Sequence, residues 1–506
     1  MNNPKRGLSQ EIFSGILWTS WGKGAKTLLQ FVVLVLLARL MTPHEFGVIG
    51  AALIVVGFSE IFTRIGLGPA IIQRAELEPR HLRTAFSVSL LLSFLIAAAI
   101  WLLAPYIAGF FDHAEMEPVI EALTLLFPIK GLGLVAESLA QRELNFKLLA
   151  TTATTSFFIG FFIVGIGLAL LDYGVWALVA ANLVTAFARA AALLRQYPPR
   201  GFVPEFKAFG ELIYFGGGHT IAKVANYSAL QLDYLVVGHV LGLVALGFYG
   251  RAYQLMSVPA TVLGQILDEV LFPSMAKIQN DQQRLGAIYL RGVSLIALVM
   301  LPVSVVGFIL APEIVRVVLG WKWVAVVLPF RILLIGLLMR TSYKMSDSLT
   351  RAKGAVYNRA WRQVIYALLV FGGAMIGQEW GIAGVAFGVL AAVTINFLLM
   401  AQMSLMLLGV SWWNFIKAHA HALLLAAGSG LVTYPIVTVL RMMDLSSYAI
   451  LITMAIILGT LLLIMVRFAS NSLLGKEGIW MLEFLKSYGR NKIAPHNAVR
   501  ADGPIG

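Results

Sequence analysis

Apolar runs of about twenty residues recur from one end of this chain to the other, and each is long enough to cross ~30 Å of hydrocarbon. Examples are SVSLLLSFLIAAAIWLLA (87–104) and YAILITMAIILGTLLLIMV (448–466). In lipid, backbone polar groups must satisfy one another within the segment, so such runs fold as helices. Composition agrees: 59% of the 506 residues are hydrophobic and 12% are charged, whereas a soluble domain carries about 25% charged residues. The chain reads as an all-α polytopic membrane protein. It has no cysteine, which excludes disulfides, thiol catalysis and cysteine-based metal sites. The first run lacks a short apolar core with an A-x-A-like cleavage site and reads as a retained helix rather than a signal peptide.

Breakers such as Thr42-Pro43, Pro198-Pro199, Pro204 and Ala311-Pro312 divide the runs into fourteen expected spans. These are 13–38, 45–66, 84–105, 119–137, 149–171, 175–195, 211–238, 245–270, 288–310, 324–345, 357–377, 381–408, 418–440 and 447–467. Lys and Arg gather at both termini and in the loops after even-numbered spans. The opposite loops hold only Arg316, Lys322 and Arg441, with Arg39 at a helix end. That asymmetry places both termini in the cytoplasm. The net charge of +13 is therefore a mark of topology, and no nucleic-acid partner is implied. The exterior loops are short; the longest, around Phe110 to Glu115, has no room for an extramembrane catalytic domain. After Phe468 the chain turns polar. Residues 478–492 form an amphipathic piece suited to the inner leaflet or a basic tail, and 493–506 read as disordered.

The two halves repeat. With a shift of 200 residues, LLARLMTPHEFGVIG (36–50) lies over VVGHVLGLVALGFYG (236–250), aligning Gly47 with Gly247 and Gly50 with Gly250. LAPYI (103–107) matches LAPEI (310–314), and YGVWALVAANLV (173–184) matches WGIAGVAFGVLA (380–391). Each half holds six spans of like orientation, so the repeat is parallel, about an axis along the membrane normal. The expected organisation is an N-terminal lobe (1–197), a cytoplasmic linker (198–210), a C-terminal lobe (211–410), two added helices (411–470) and a cytoplasmic tail (471–506).

One feature of the first span resists a bland reading. Thr19, Lys23, Lys26 and Gln30 share one helical face, and a mid-membrane lysine costs ~3 kcal/mol on insertion scales. The 200-residue shift puts Lys23 on Lys223, Thr19 on His219 and Lys26 on Asn226, so the seventh span carries a matching stripe. Two such stripes meeting across the repeat axis would line a water-filled cationic cavity. The competing account is burial of the lysines against acids, with Glu60 and Asp233 as candidates. Glu60 and Arg64 are i, i+4 and suited to each other. Arg251 and Asp233 lie at similar depth and suit a bridge between the seventh and eighth spans. Gly22 and Gly24 suit close packing or a bend in the first span.

These features resemble the polysaccharide-export branch of the multidrug/oligosaccharidyl-lipid/polysaccharide superfamily, in particular Wzx-type flippases and the colanic acid exporter group. The resemblance is carried by ARLMTPHEFGVIGAALIVVGFSEIFTRIGLGPAIIQR (38–74) and LDYLVVGHVLGLVALGFYGRAYQLMSVPATVLGQILDEVLFPSMAKIQND (232–281) and covers residues 12–467. It implies fourteen helices in a V-shaped, two-lobed fold, location in the bacterial inner membrane, and flipping of undecaprenyl-pyrophosphate-linked sugar repeat units. It also implies a basic cavity lined by helices 1, 2, 7 and 8, matched here at Lys23, Lys26, Lys223 and Arg251. No catalytic residue, metal or cofactor is implied; proton or sodium coupling through His219, Glu60 or Asp233 is open. Lipid-linked oligosaccharide, membrane lipids and other polysaccharide assembly proteins are the implied partners. Two other classes compete. A cation-coupled drug exporter of the same superfamily would carry acids in its cavity. A membrane glycan polymerase or ligase would need a large exterior loop.

Overall fold

The computed structural model describes residues 24 and 26–468, apart from 65, 75, 200, 203, 204, 206, 211–223, 225, 226, 229 and 279. Among these residues the chain is helical throughout, with no strand. The helices are α1 (26–40), α2 (Pro43–Arg64), α3 (Pro79–Phe110), α4 (Met116–Arg142), α5 (Phe146–Leu170), α6 (Val175–Gln196), α7 (Leu230–Leu241) and α8 (Leu243–Lys277). They continue as α9 (Gln282–Ile309), α10 (Trp321–Ile335 and Leu337–Ala352), α11 (Val356–Gly377), α12 (Gly381–Leu408), α13 (Ala420–Met442) and α14 (Ser447–Phe468). Each expected span thus contains a helix, wholly or in part. Nine segments of the described residues are long and apolar enough to cross a membrane, or ten counting the two parts of α10, which meet at a 42° bend at Gly336. Three short helices, Leu67–Gln73, Ala311–Val318 and Trp412–Lys417, stand where the sequence pattern suggested loops.

The chain forms two compact units. The first comprises Met1–Gln254, Val315–Pro329 and Gln363–Ala392. Part of its core is Leu67, Ile71, Ala85, Phe86 and Leu134, where α3 and α4 close over the short helix Leu67–Gln73. Arg142 Nη1 donates to the carbonyls of Ile71 and Arg74 at 2.8 and 2.5 Å, satisfying C-terminal acceptors of that short helix. Small residues let backbones touch, as membrane helices require in the absence of a hydrophobic drive between them. Gly373 and Gly377 of α11 face Gly388 and Gly384 of α12 so closely that any side chain would strike the opposing carbonyls.

The repeat is visible in the backbone of this unit. Gly174 and Gly381, equivalent in the two halves, both hold positive φ (55° and 67°) immediately at a helix start. Tighter still, a Cβ on Gly47 would collide with the Leu243 carbonyl, and one on Gly247 with the Pro43 carbonyl. Pro43 and Leu243, like Gly47 and Gly247, are one repeat apart. The N-terminal ends of α2 and α8 therefore cross backbone to backbone, each making the contact the other makes.

The second unit comprises Leu255–Ile314, Phe330–Arg362 and Val393–Gly506. Here α9 packs along α13, and Leu310, Val437, Ile450 and Met454 join α9 to α13 and α14. Glu313, only 2% exposed, is held by Arg441 through two 2.8 Å hydrogen bonds, and the same guanidinium donates to the Ile309 carbonyl at 2.9 Å.

Candidate functional site

Membrane-embedded charge in the first unit is concentrated on the faces that α1, α2, α4 and α6 turn toward one another. Lys26 of α1 is half-buried, and Gln30, one turn on, is exposed. Lys26 forms no ion pair among the described residues. Arg189 Nη2 donates to Glu137 Oε1 of α4 at 2.9 Å, while its Nε is buried without a hydrogen-bond partner. Two turns back along α4, Lys130 Nζ donates to Glu60 Oε2 of α2 at 2.6 Å. Helix spacing explains why these residues converge: Lys130 and Glu137 are i, i+7 and share a face. Close packing of α4 on α6, where a Cβ on Gly133 would lie 3.5 Å from Ala190, brings Arg189 within reach.

The start of the second half also reaches this site. Tyr227 donates its hydroxyl proton to the Ile54 carbonyl of α2 at 3.0 Å, over Gly57, where a side chain would displace it.

Near the other end of the same unit, Asp233 of α7 is 2% exposed and accepts from the Tyr249 hydroxyl of α8 at 2.7 Å. Asp233 ties the seventh helix to the eighth through Tyr249. Arg251 lies over the Phe46 ring of α2, 4.3 Å from its centroid. Glu60 is also held by Lys130 from across the helix interface. The Arg64 side chain, and Lys23, His219, Lys223 and Asn226, lie outside the described residues.

At the ends of the helices that the Lys/Arg bias assigns to the outside, the repeat-exchanged contacts continue. Arg39 Nη2, at the end of α1, donates to the Val317 carbonyl at 2.6 Å. His239, at the equivalent end of α7, donates from Nδ1 to the Phe110 carbonyl at 2.6 Å and stacks on the Phe110 ring at 4.1 Å. Arg39 and His239 are 200 residues apart. Phe110 and Val317 are 207 apart, the shift that aligns LAPYI with LAPEI. Trp323, fully buried, donates to the Ala38 carbonyl at 2.8 Å and meets Phe46 and Phe248 edge-on.

Lys130, Glu137, Arg189 and Tyr227 are absent from the sequence-based set of site residues. Their signal is present in FPIKGLGLVAES (127–138) and AFARAAALL (186–194), where charges interrupt otherwise apolar helices. Reading those interruptions demanded the partner helix, which a one-helix pattern does not supply.

A multi-helix repeat with embedded charge and glycine-crossed helix ends defines the class: a multi-pass membrane transporter fold. The chain belongs to the polysaccharide biosynthesis protein family, whose model matches residues 36–328. It is 26% identical over 402 residues to the lipopolysaccharide biosynthesis protein WzxC of Escherichia coli (strain K12), covering 78% of this chain and 80% of that one. It is 28% identical over 308 residues to the succinoglycan biosynthesis transport protein ExoT of Rhizobium meliloti (strain 1021), covering 60% and 62%. Its fold is that of the lipid II flippase MurJ in an inward closed conformation, with a TM-score of 0.71 at 14% identity over 95% of this chain and 100% of that one.

Proposed function

We propose that this protein is a flippase that moves undecaprenyl-pyrophosphate-linked oligosaccharide repeat units from the cytoplasmic to the outer leaflet of the bacterial inner membrane, for exopolysaccharide or lipopolysaccharide synthesis. The chain then crosses the membrane fourteen times as two parallel-repeat lobes with two added helices, and both termini are cytoplasmic. It acts as a transporter and not as an enzyme, with no cofactor. Proton or sodium coupling through Glu60, Asp233 or His219 belongs to the same proposal, as does contact with other polysaccharide assembly proteins.

The observation that carries this reading is the pairing of a repeat-exchanged closure with charge deeper in the membrane. Crossed glycines and two carbonyl hydrogen bonds hold the outer helix ends. Lys26 and Arg189 each lie about 21 Å along their helices from those ends. A sugar pyrophosphate is anionic and too polar for hydrocarbon. A cationic aqueous cleft supplies counter-charge while the prenyl tail stays in lipid, and rocking of the repeats moves the head across. The family membership and the names of the relatives support the glycan. Embedded cations favour an anionic head over the cationic cargo of a drug exporter.

A deletion strain should accumulate lipid-linked repeat units on the cytoplasmic face. Complementation by the Lys23→Gln, Lys223→Gln double variant at wild-type level would remove the cationic-cavity mechanism. In binding assays, labelled lipid-linked oligosaccharide should outcompete a cationic dye. Unaltered glycan chain length in strains blocked only after polymerisation would separate a flippase from a polymerase.

A further inference from the structure

The Lys/Arg bias leaves four cations for the outer side: Arg39, Arg316, Lys322 and Arg441. Arg441 answers the buried Glu313. The other three come together in the first unit, although Arg39 is far from the others in the chain. Arg39 Nη2 donates to the Val317 carbonyl at 2.6 Å, which sets it beside Arg316. The Arg316 guanidinium lies over the Trp321 ring, 4.5 Å from its centroid, and the exposed Lys322 follows Trp321 in the chain. Neither Arg316 nor Lys322 forms an ion pair among the described residues. The other loops on this side carry acids instead: Asp112 and Glu115 after α3, Asp172 after α5, Glu379 after α11 and Asp444 after α13.

An apolar strip leads away from these cations. Gly320, at φ 104°, turns the chain into the start of α10. Trp323 and Val326 are fully buried there, and the Trp323 indole donates to the Ala38 carbonyl of α1 at 2.8 Å. That docking leaves Trp321, Val324 and Leu328 exposed at i, i+3, i+7 spacing, with 72% of the Trp321 surface open. At helical rise the strip runs about 12 Å into the bilayer from its outer edge. Tryptophan favours the level of the lipid headgroups. Aliphatic side chains deeper in the strip meet acyl chains, and cations at its top meet phosphates. An aromatic and aliphatic strip alone accepts any lipid. Cations without a carboxylate favour a lipid of net negative charge, because a zwitterionic head brings its own ammonium to the phosphate.

We propose that the outer start of α10 binds one anionic phospholipid of the outer leaflet, its phosphate at Arg316 and Lys322 and an acyl chain along Trp321, Val324 and Leu328. The Trp321 ring face holds the Arg316 guanidinium by a cation–π contact, so that cation is in place before the lipid arrives. The surface is separate from the charge deeper in the unit and does not depend on the identity of the cargo.

The test uses the full-length protein in phosphatidylcholine nanodiscs doped with doxyl-labelled phosphatidylglycerol or doxyl-labelled phosphatidylcholine. A bimane on Ala325→Cys, an exposed position beside the strip, is quenched by a labelled lipid seated there. Quenching should show a preference for phosphatidylglycerol of roughly 5- to 25-fold, about fivefold for each cation. Arg316→Gln and Lys322→Gln should each remove about fivefold of it, and the double variant should show less than a twofold preference. Lys322→Arg should keep the parent value. Lys322→Gln alters only an exposed side chain, so the comparison survives a folding defect in Arg316→Gln.

A bimane on Asp444→Cys, on the same side in the second unit, separates a site from the general field of the protein. It should show less than a twofold preference, unchanged by the variants. Equal preference at the two positions would overturn the proposal. So would a parent preference under twofold at Ala325→Cys, or a double variant that keeps the parent preference. Farnesyl pyrophosphate is the last probe. If it displaces labelled phosphatidylglycerol at about a hundredth of the lipid's concentration, the patch belongs to a pyrophosphate carrier and the phospholipid assignment is wrong.

Discussion

Adding one methyl group at Gly47 should open the outer end of the molecule. A Cβ there overlaps the backbone carbonyl of Leu243, which cannot rotate away as a side-chain tip would. The two helix ends must part, and forced overpacking of this kind costs about 1–3 kcal/mol. The cost falls only on the closed arrangement, so the ratio of open to closed molecules should rise about 5- to 150-fold. Met41, 2% exposed at the junction of α1 and α2, reports the change. In this cysteine-free chain, Met41→Cys gives a single thiol for a membrane-impermeant maleimide added from outside. Labelling should be slow in the parent and faster by that factor with Gly47→Ala. The repeat makes a further demand: Gly247→Ala, which strikes the Pro43 carbonyl, should act with the same sign and similar size. The double variant should gain less than the sum, since helices already parted by one methyl have room for the other. Gly50→Ala is the control, because a side chain there meets nothing within 4 Å. Unchanged labelling in both Gly47→Ala and Gly247→Ala, with normal expression, would show that the crossing does not hold the outer end closed.

Three further outcomes are expected. Arg441→Gln should strand the buried Glu313 carboxylate and cost about 3 kcal/mol, seen as a lower melting temperature in detergent. Adding Glu313→Gln should restore most of it, and equal melting of single and double variants would refute the account. Single cysteines at Glu115 and Asp444 should label from outside and those at Arg80, Pro199 and Arg351 only from inside; exterior access at Pro199 would break the parallel repeat. Tyr197, in the loop after α6, has its pKa raised by burial and by its 2.6 Å hydrogen bond to Glu143. Its contribution to stability is present below the unfolded value of about 10 and is lost as pH rises above that value. Tyr197→Phe should flatten the alkaline limb of the unfolding profile, and an unaltered limb would assign it elsewhere.

The helices were legible because hydrocarbon leaves a chain few options. Apolar length alone placed α6, α12 and α14 within a residue or two of their observed ends. The repeat was legible for a different reason. Gly47, Gly247, Gly174 and Gly381 sit where backbone approach or positive φ excludes side chains, so geometry holds those positions to glycine in both halves. The bend in α10 was not legible, because Gly336 in an apolar run reads the same whether the helix continues or breaks. Polar partners were the least legible part of the site. Lys130, which holds Glu60, lies on another helix and gives no signal at helical spacing from it. For Asp233 the helix pair was readable, and Tyr249 adds a neutral hydroxyl that a search for opposite charges passes over.

Ion pairs between helices bear on how embedded charge divides between structure and transport. In the second unit the Glu313 carboxylate is 2% exposed and takes two hydrogen bonds from Arg441, which itself keeps 36% of its side-chain surface. That carboxylate is sealed from cargo. In the first unit the carboxylates are partly open. Glu60 and Lys130 keep 21% and 34% of their side-chain surface, Glu137 and Arg189 keep 22% and 36%, and Lys26 has no ion pair among the described residues. A transporter must bind its cargo and then release it, so full neutralisation by the protein would leave nothing to bind, and a bare cation cluster would hold an anion too tightly to let go. Carboxylates that occupy part of each cation's capacity set the affinity between those limits, since they are ready to take the cation back when the head departs. On this argument Glu60→Gln and Glu137→Gln should both tighten head-group binding and slow its release, so export falls while affinity rises. Export and affinity falling together in both variants would refute it.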